Sequence, residues 1–172
     1  MSSNKGKDGE MRVVKIIADI AIEEEGFDFT RPTITNESDM GADLIIKSSP
    51  QSLNHLIQVA LGHSKSTDEH STERSKKTIE SRVDVKTTQN KLQADTVEKF
   101  ASDVHKHPGC TGHILMGGSN LTGPAQRKFD QYKEDFAQEG KILAYISNEG
   151  MNRLASEYTR PIAPAPENSK ND

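Results

Sequence analysis

The sequence predicts an α/β domain, because segments with the two-residue alternation of strands are interleaved with segments whose apolar residues recur at helical spacing. Ser81-Arg-Val-Asp-Val-Lys-Thr-Thr88 carries the first pattern. Val97, Phe100, Ala101 and Val104, at i, i+3, i+4 and i+7, carry the second. Strands flanked by helices in this way argue for a mixed central sheet with helices packed against it.

Residues 11–25 read as a helix whose apolar face holds Val13, Ile16, Ile17, Ile20 and Ala21, closed by Gly26 as a C-terminal cap. Phe27 and Phe29 alternate in a short strand before Pro32. Asp39-Met-Gly-Ala-Asp43 leads into the apolar strand Leu44-Ile-Ile46. Leu53, Leu56, Ile57, Ala60 and Leu61 have helical spacing, but His63 to Glu80 is nearly all polar, so 48–80 reads as an insertion between two strands. The strand at 81–88 reads as half-buried. Asp95-Thr-Val-Glu98 has the form of a capping box for the next helix. His113-Ile-Leu-Met116 is a strand, and Leu121-Thr-Gly-Pro124 opens a helix with proline in its first turn. Lys141 to Ile146 is the last strand, and Asn148 caps a short helix through Leu154.

The chain has 172 residues, 32% apolar and 28% charged. The polar excess concentrates at the ends and near 62–80, and what remains is roughly 120 residues, an ordinary domain size. The expected organisation is a flexible N-terminus over 1–9, one domain over 10–156 and a disordered tail over 157–172. Cys110 is the lone cysteine, so no intramolecular disulfide forms. The first ten residues lack the apolar run of a signal peptide. No stretch approaches the ~20 apolar residues of a membrane span. The expectation is a cytoplasmic protein, nuclear in a eukaryote, with no membrane partner. A net charge of −4 counts against a dedicated non-specific nucleic-acid binder and leaves room for a carboxylate-rich site that works with a metal.

The chemistry concentrates in Asp43 and Asp84-Val85-Lys86. Residues two apart on a strand share a face, so Asp84 and Lys86 project together while Val83 and Val85 pack behind them. A neighbouring strand brings Asp43 beside them. Two carboxylates, the Val85 carbonyl and water suit Mg²⁺, with Mn²⁺ as a substitute. Lys86 then serves as the catalytic cation, orienting a water or neutralising charge that develops on an attacked phosphate. The ordinary alternative for Asp-x-Lys on an alternating strand is a solvated salt-bridge face.

In its order of elements the chain resembles the PD-(D/E)XK nucleases, and more narrowly the Mrr-like restriction endonucleases. The likeness is carried by a helix ending in Gly26-Phe27, then Asp39-x-Gly-x-Asp43-Leu-Ile-Ile, then Val83-Asp-Val-Lys86. Downstream, Val97–Val104, Gly112–Met116, Leu121–Phe129 and Ile142–Ile146 follow the family's helix, strand, helix, strand order, so the resemblance covers about residues 10–154. It implies a restriction-endonuclease-like fold and Mg²⁺-dependent hydrolysis of DNA phosphodiesters, in restriction and defence or in DNA processing. Asp43 and Asp84 match the metal carboxylates and Lys86 the catalytic lysine, whereas Asp39 shapes the loop. The family often adds a glutamate early in the first helix. Glu10 is the closest acid to that place here. Gln89 and Lys91, just past the catalytic strand, are candidate phosphate contacts or plain loop residues.

A homodimer suits cutting both strands of a duplex. With so little basic surface, a separate recognition domain or partner would supply affinity, and an RNA strand satisfies the same chemistry. The alternative class is a non-catalytic module that uses the nuclease fold to bind a protein or nucleic acid. Three further features carry bland readings. His105, His107, Cys110 and His113 have no common zinc spacing and read as a His-rich helix end. Glu23-Glu24-Glu25 reads as a solvated face, and Gly117-Gly118-Ser119 as a turn without the lysine of a phosphate loop. Lys99, Lys106, Arg127, Lys128 and Lys133 either line a DNA groove or are ordinary helix-surface cations.

Overall fold

The computed structural model describes residues 5–31, 43–63 and 77–158. Pro32, Asp39, most of the polar part of the expected insertion and nearly all of the expected tail lie outside the described residues. The element order is α1 (Lys5–Glu23), β1 (Asp28–Thr30), β2 (Leu44–Ser48), α2 (Pro50–Ala60), β3 (Ile79–Lys86), α3 (Ala94–Ser102), a 3₁₀ turn at Asp103–Lys106, β4 (Gly112–Gly117), α4 (Gly123–Gln138), β5 (Ile142–Ile146) and α5 (Asn148–Tyr158).

The sheet has strand order β1-β2-β3-β4-β5. β1, β2 and β3 pair antiparallel, and β3, β4 and β5 pair parallel. Parallel neighbours need long crossovers, and α3 and α4 supply them. The mixed α/β sheet expected from the sequence is therefore present.

Each face of the sheet has its own apolar core. α1, α2 and α5 cover one face, with Val13, Ile17 and Ile20 packed beside Leu53, Leu56, Leu154 and the sheet residues Leu44, Ile46, Val83 and Ile114. α3 and α4 cover the other, where Val97, Phe100, Phe129 and Phe136 meet Leu115 and Leu143. Phe100 and Phe129 stack with ring centres 6.2 Å apart.

Four local differences from the sequence reading have physical causes. First, α1 begins at Lys5 rather than near residue 11. Gly9 lies so close to Thr87 that an added Cβ would come within 2.5 Å of Cγ2, and Asp8 in the first turn suits the helix dipole. Second, α2 is part of the core and not a peripheral insertion, because Leu53, Leu56, Val59 and Ala60 are all buried. Third, α5 continues past Leu154 to Tyr158, whose ring is buried in the core and whose hydroxyl reaches Glu24. Fourth, α3 starts one residue before Asp95, with Gln93 in the cap position. The Asp95 carboxylate accepts only from the adjacent Thr96 amide, so the capping box does not form.

The expected start of α4 is observed. Thr122 Oγ1 accepts from the Ala125 amide at 3.3 Å, with proline in the first turn. Gly140 follows the end of α4 at φ 75°, whereas Gly26, at φ 78°, lies three residues past the end of α1 at Glu23, in the turn to β1 rather than at the helix cap. Among the described residues no helix is long and apolar enough to cross a membrane.

Candidate active site at the carboxyl end of the central strand

β3 is the central strand, with neighbours on both edges and helices over both faces. Its polar face is therefore not solvated, contrary to the half-buried pattern. Arg82 is 0% exposed and Asp84 3%. A buried carboxylate in a sheet interior is costly unless it is compensated, so its surroundings matter.

The compensation comes from β3 itself. Lys86 Nζ lies 3.2 Å from Asp84 Oδ1, as side chains two apart on a strand allow. Arg82, two residues to the other side, adds a second positive charge. Burial pushes the Asp84 carboxyl above its usual range, while Lys86 and, less strongly, Arg82 pull against that. The Lys86 side chain is 36% exposed, so this pair stands at the boundary between core and solvent.

Arg82 belongs to a polar network that sequence reading missed. Its Nε donates to His113 Nδ1 at 2.7 Å, and another nitrogen donates to the Phe100 carbonyl at 2.6 Å. The guanidinium also lies 4.5 Å above the centre of the Phe100 ring. Because His113 Nδ1 accepts, its Nε2 carries the proton toward the Cys110 carbonyl, 3.2 Å away. Burial and the Arg82 charge drive the His113 pKa down to about 3, so the ring is neutral. Both nitrogens are engaged within the fold, which removes His113 as a zinc ligand. His105 packs on the Phe136 ring, and Cys110 is buried.

Asp43 reaches the site through an irregularity at the start of β2. Leu44 is the register partner of Val83, yet the Asp43 amide also donates to the Val83 carbonyl at 2.9 Å. Two residues facing one make a β-bulge, which re-aims the side chain at the strand end. The Asp43 carboxylate turns toward β3, where its Oδ2 accepts from the Val85 amide at 2.7 Å. The Glu80 carbonyl accepts from the Thr111 amide leading into β4, so alternate residues Val83 and Val85 turn their main chain toward β2. The Val85 carbonyl therefore faces the same edge as Asp43.

At this strand end the structure thus places the Asp43 carboxylate on the Val85 amide and Lys86 on Asp84. Asp43, Asp84 and the Val85 carbonyl are hard oxygen donors of the kind Mg²⁺ takes, with water completing its shell. No group of three His, Cys, Asp or Glu side chains able to hold a metal occurs among the described residues. Glu10, the nearest acid to the family's helix glutamate, is occupied by Arg31 at 2.6 Å. The donor set fits Mg²⁺ in kind, with two carboxylates rather than three.

A cleft of about 250 Å³ opens beside this strand end, between the start of α1 and the residues that follow β3. Asp8, Arg12, Lys86, Gln89, Asn148 and Met151 contribute to its walls. Asp43 and Asp84 do not, so the cleft adjoins the carboxylate pair across the Val85–Lys86 segment. Gln89 is exposed and faces the cleft, as a phosphate contact requires. Lys91 is exposed but lies outside its lining. Gly117 closes the neighbouring turn at φ 121°, where a Cβ would fall 1.9 Å from the Lys86 carbonyl oxygen. Only glycine allows β4 to end so close to the catalytic lysine candidate.

Several surface cations weighed as a DNA groove are already paired. Lys99 and Lys106 both bind the buried Asp103, and Lys128 binds Glu98. Burial alone would raise the Asp103 carboxyl, but the hydrogen bonds from Lys99 and Lys106 outweigh it and hold it below its usual value.

Neither a scan against models of known protein families nor a search of curated proteins gives a match to this chain.

Proposed function

We propose that this protein is a metal-dependent nuclease of the restriction-endonuclease-like, Mrr-like class, hydrolysing DNA phosphodiester bonds with Asp43, Asp84 and Lys86. The observation that carries the reading is the convergence of these residues. A bulge turns the Asp43 carboxylate onto the Val85 amide, one residue from a buried Asp84 that Lys86 contacts at 3.2 Å. Asp43 and Asp84, with the Val85 carbonyl, would hold Mg²⁺ or Mn²⁺. The ion, when bound, supplies an acidified water and positive charge at the scissile phosphate.

The chain's own groups do the rest. Arg82 and Lys86 balance the two carboxylates, so a divalent ion leaves the site net positive toward phosphate. Lys86, partly exposed, exchanges its contact with Asp84 for the phosphate oxygens or the attacking water. Burial in the sheet interior restricts Asp84, which is 3% exposed, so little reorganisation accompanies the reaction. A reducing intracellular setting and a role in restriction or DNA processing belong to the same proposal, as does pairing into a homodimer.

The second reading is a binding module that keeps this fold without catalysis. The absence of a third carboxylate among the described residues favours it. Titration calorimetry with Mn²⁺ separates the two. Wild type is expected to bind, and Asp43→Asn and Asp84→Asn each to weaken binding by about tenfold or more. Because burial raises the Asp84 carboxyl, the ion competes with a proton there, so affinity should rise with pH through the mildly acidic range. Wild type without measurable affinity would leave the binding-module reading.

A further inference from the structure

The cleft beside the carboxylate pair has a chemical character of its own. Its lining has two cations, Arg12 and Lys86, against one carboxylate, Asp8. Gln89 and Asn148 add neutral polar groups, and the buried Met151 adds an apolar surface. Arg12 is held in place by the side-chain oxygen of Asn152 on α5, and it forms no ion pair among the described residues. A tethered guanidinium with the rest of its N–H fork unused is suited to a phosphate. Asn148 stiffens the opposite wall, donating from its amide group to the Thr88 carbonyl at 3.0 Å and from its backbone to the Gly118 carbonyl at 2.9 Å.

Size and charge together select the form of the substrate. A cleft of about 250 Å³ is smaller than most ligand pockets, and holds a nucleotide-sized group rather than a double helix. Duplex binding grows with the number of phosphates neutralised along a surface. Here the net charge is −4, and Lys99, Lys106 and Lys128 are spent on acids of the same chain. A separated strand can instead place one nucleotide in the cleft and needs only one or two cationic contacts.

We propose that this cleft seats one nucleotide of a single or locally separated DNA strand, with Arg12 gripping its phosphate, so that the site acts on unpaired rather than intact duplex DNA. The cutting step rests on the nuclease reading above, whereas the seating of the strand does not. Arg12 is here a positioning residue, tied to Asn152, and takes no part in the bond-breaking step.

The test is fluorescence anisotropy of a labelled short oligothymidylate and of a matched duplex, at several salt concentrations, with Ca²⁺ present to retain metal without turnover. The single strand is expected to bind at least tenfold tighter than the duplex. Its log affinity should fall against log salt with a slope near −1.4, the value for about two phosphate contacts on a single strand. Arg12→Gln should weaken binding by about tenfold and lower that slope by about 0.7. Arg12→Lys should recover part of the loss. Unchanged melting temperatures would show that both variants fold. Preference for the duplex, or an Arg12→Gln variant with wild-type affinity and slope, would overturn the proposal. Single-strand binding through Arg12 by a protein that cuts nothing in Mn²⁺ would support the cleft while removing the nuclease reading. Metal-dependent cutting with no effect of Arg12→Gln on binding would do the reverse.

Discussion

Replacing Lys86 by alanine is expected to lower metal-dependent cleavage by about a hundredfold to a thousandfold, the usual effect of removing a charge aimed at a transition state. The same change should displace the pH profile. Burial raises the Asp84 carboxyl, and Lys86 is the largest influence acting against it. Without the ammonium the Asp84 pKa rises further, so a higher pH is needed before the carboxylate is ionised. The acid limb of the rate profile at a fixed, subsaturating Mn²⁺ concentration should therefore move to higher pH. Lys86→Arg keeps the charge, so its acid limb should stay closer to that of wild type. A lysine with only a structural role would lower stability without moving that limb. Initial rates measured across the acidic and neutral range distinguish the two.

The second large effect concerns the buried network behind the site. Arg82→Ala is expected to destabilise the fold by about 3–5 kcal/mol, because it strips a partner from buried charged and polar groups. His113 Nδ1 and the Phe100 carbonyl each lose a donor, and Asp84 loses one of its cations. Urea titration at neutral pH measures this.

The same network makes the wild type acid-sensitive. His113 has a folded pKa of about 3 against 6.5 unfolded, so the folded state binds fewer protons between those values. Stability is therefore intact above pH 6.5 and falls as pH drops toward 3. The histidine contribution is a loss on the order of 2 kcal/mol by about pH 5. Asp103, held below its usual value, adds a further loss at lower pH. Asp84 acts oppositely, since its raised carboxyl favours the folded state once protonated. Asp84→Asn removes that offset. The variant should be at least as stable as wild type at neutral pH and lose stability more steeply in acid.

Alternation and helical spacing made most of the fold legible in the sequence. The strands Leu44–Ser48, Ile79–Lys86, Gly112–Gly117 and Ile142–Ile146, read from apolar periodicity as 44–46, 81–88, 113–116 and 141–146, and the helices between them were recognisable. The role of 50–60 was harder to see, because its apolar face alone does not reveal that the sheet and α5 cover it. The polar run beyond it made the whole segment look like an insertion. Of the candidate site, the shared face of Asp84 and Lys86 was legible, since two-residue spacing fixes it whatever the tertiary context, whereas placing Asp43 beside them rested on the resemblance.

What surrounds those residues was not legible. Arg82 sits two positions before Asp84, where a solvated strand would carry an ordinary charge. Only pairing on both edges and helices on both faces bury it. Arg12 falls within a recognised helix, but its approach to Asn152 links residues 140 apart. The Asp43 bulge likewise depends on register with β3, which local sequence does not record.

The most direct measurement is cleavage of supercoiled plasmid and circular single-stranded DNA by wild type and Asp84→Asn, each with Mg²⁺, Mn²⁺ or EDTA. Cutting by wild type that requires the ion and is lost in the folded variant is the expected result. Equal cutting by both proteins, or none by folded wild type in either metal, would contradict assignment of a nuclease to Asp43, Asp84 and Lys86.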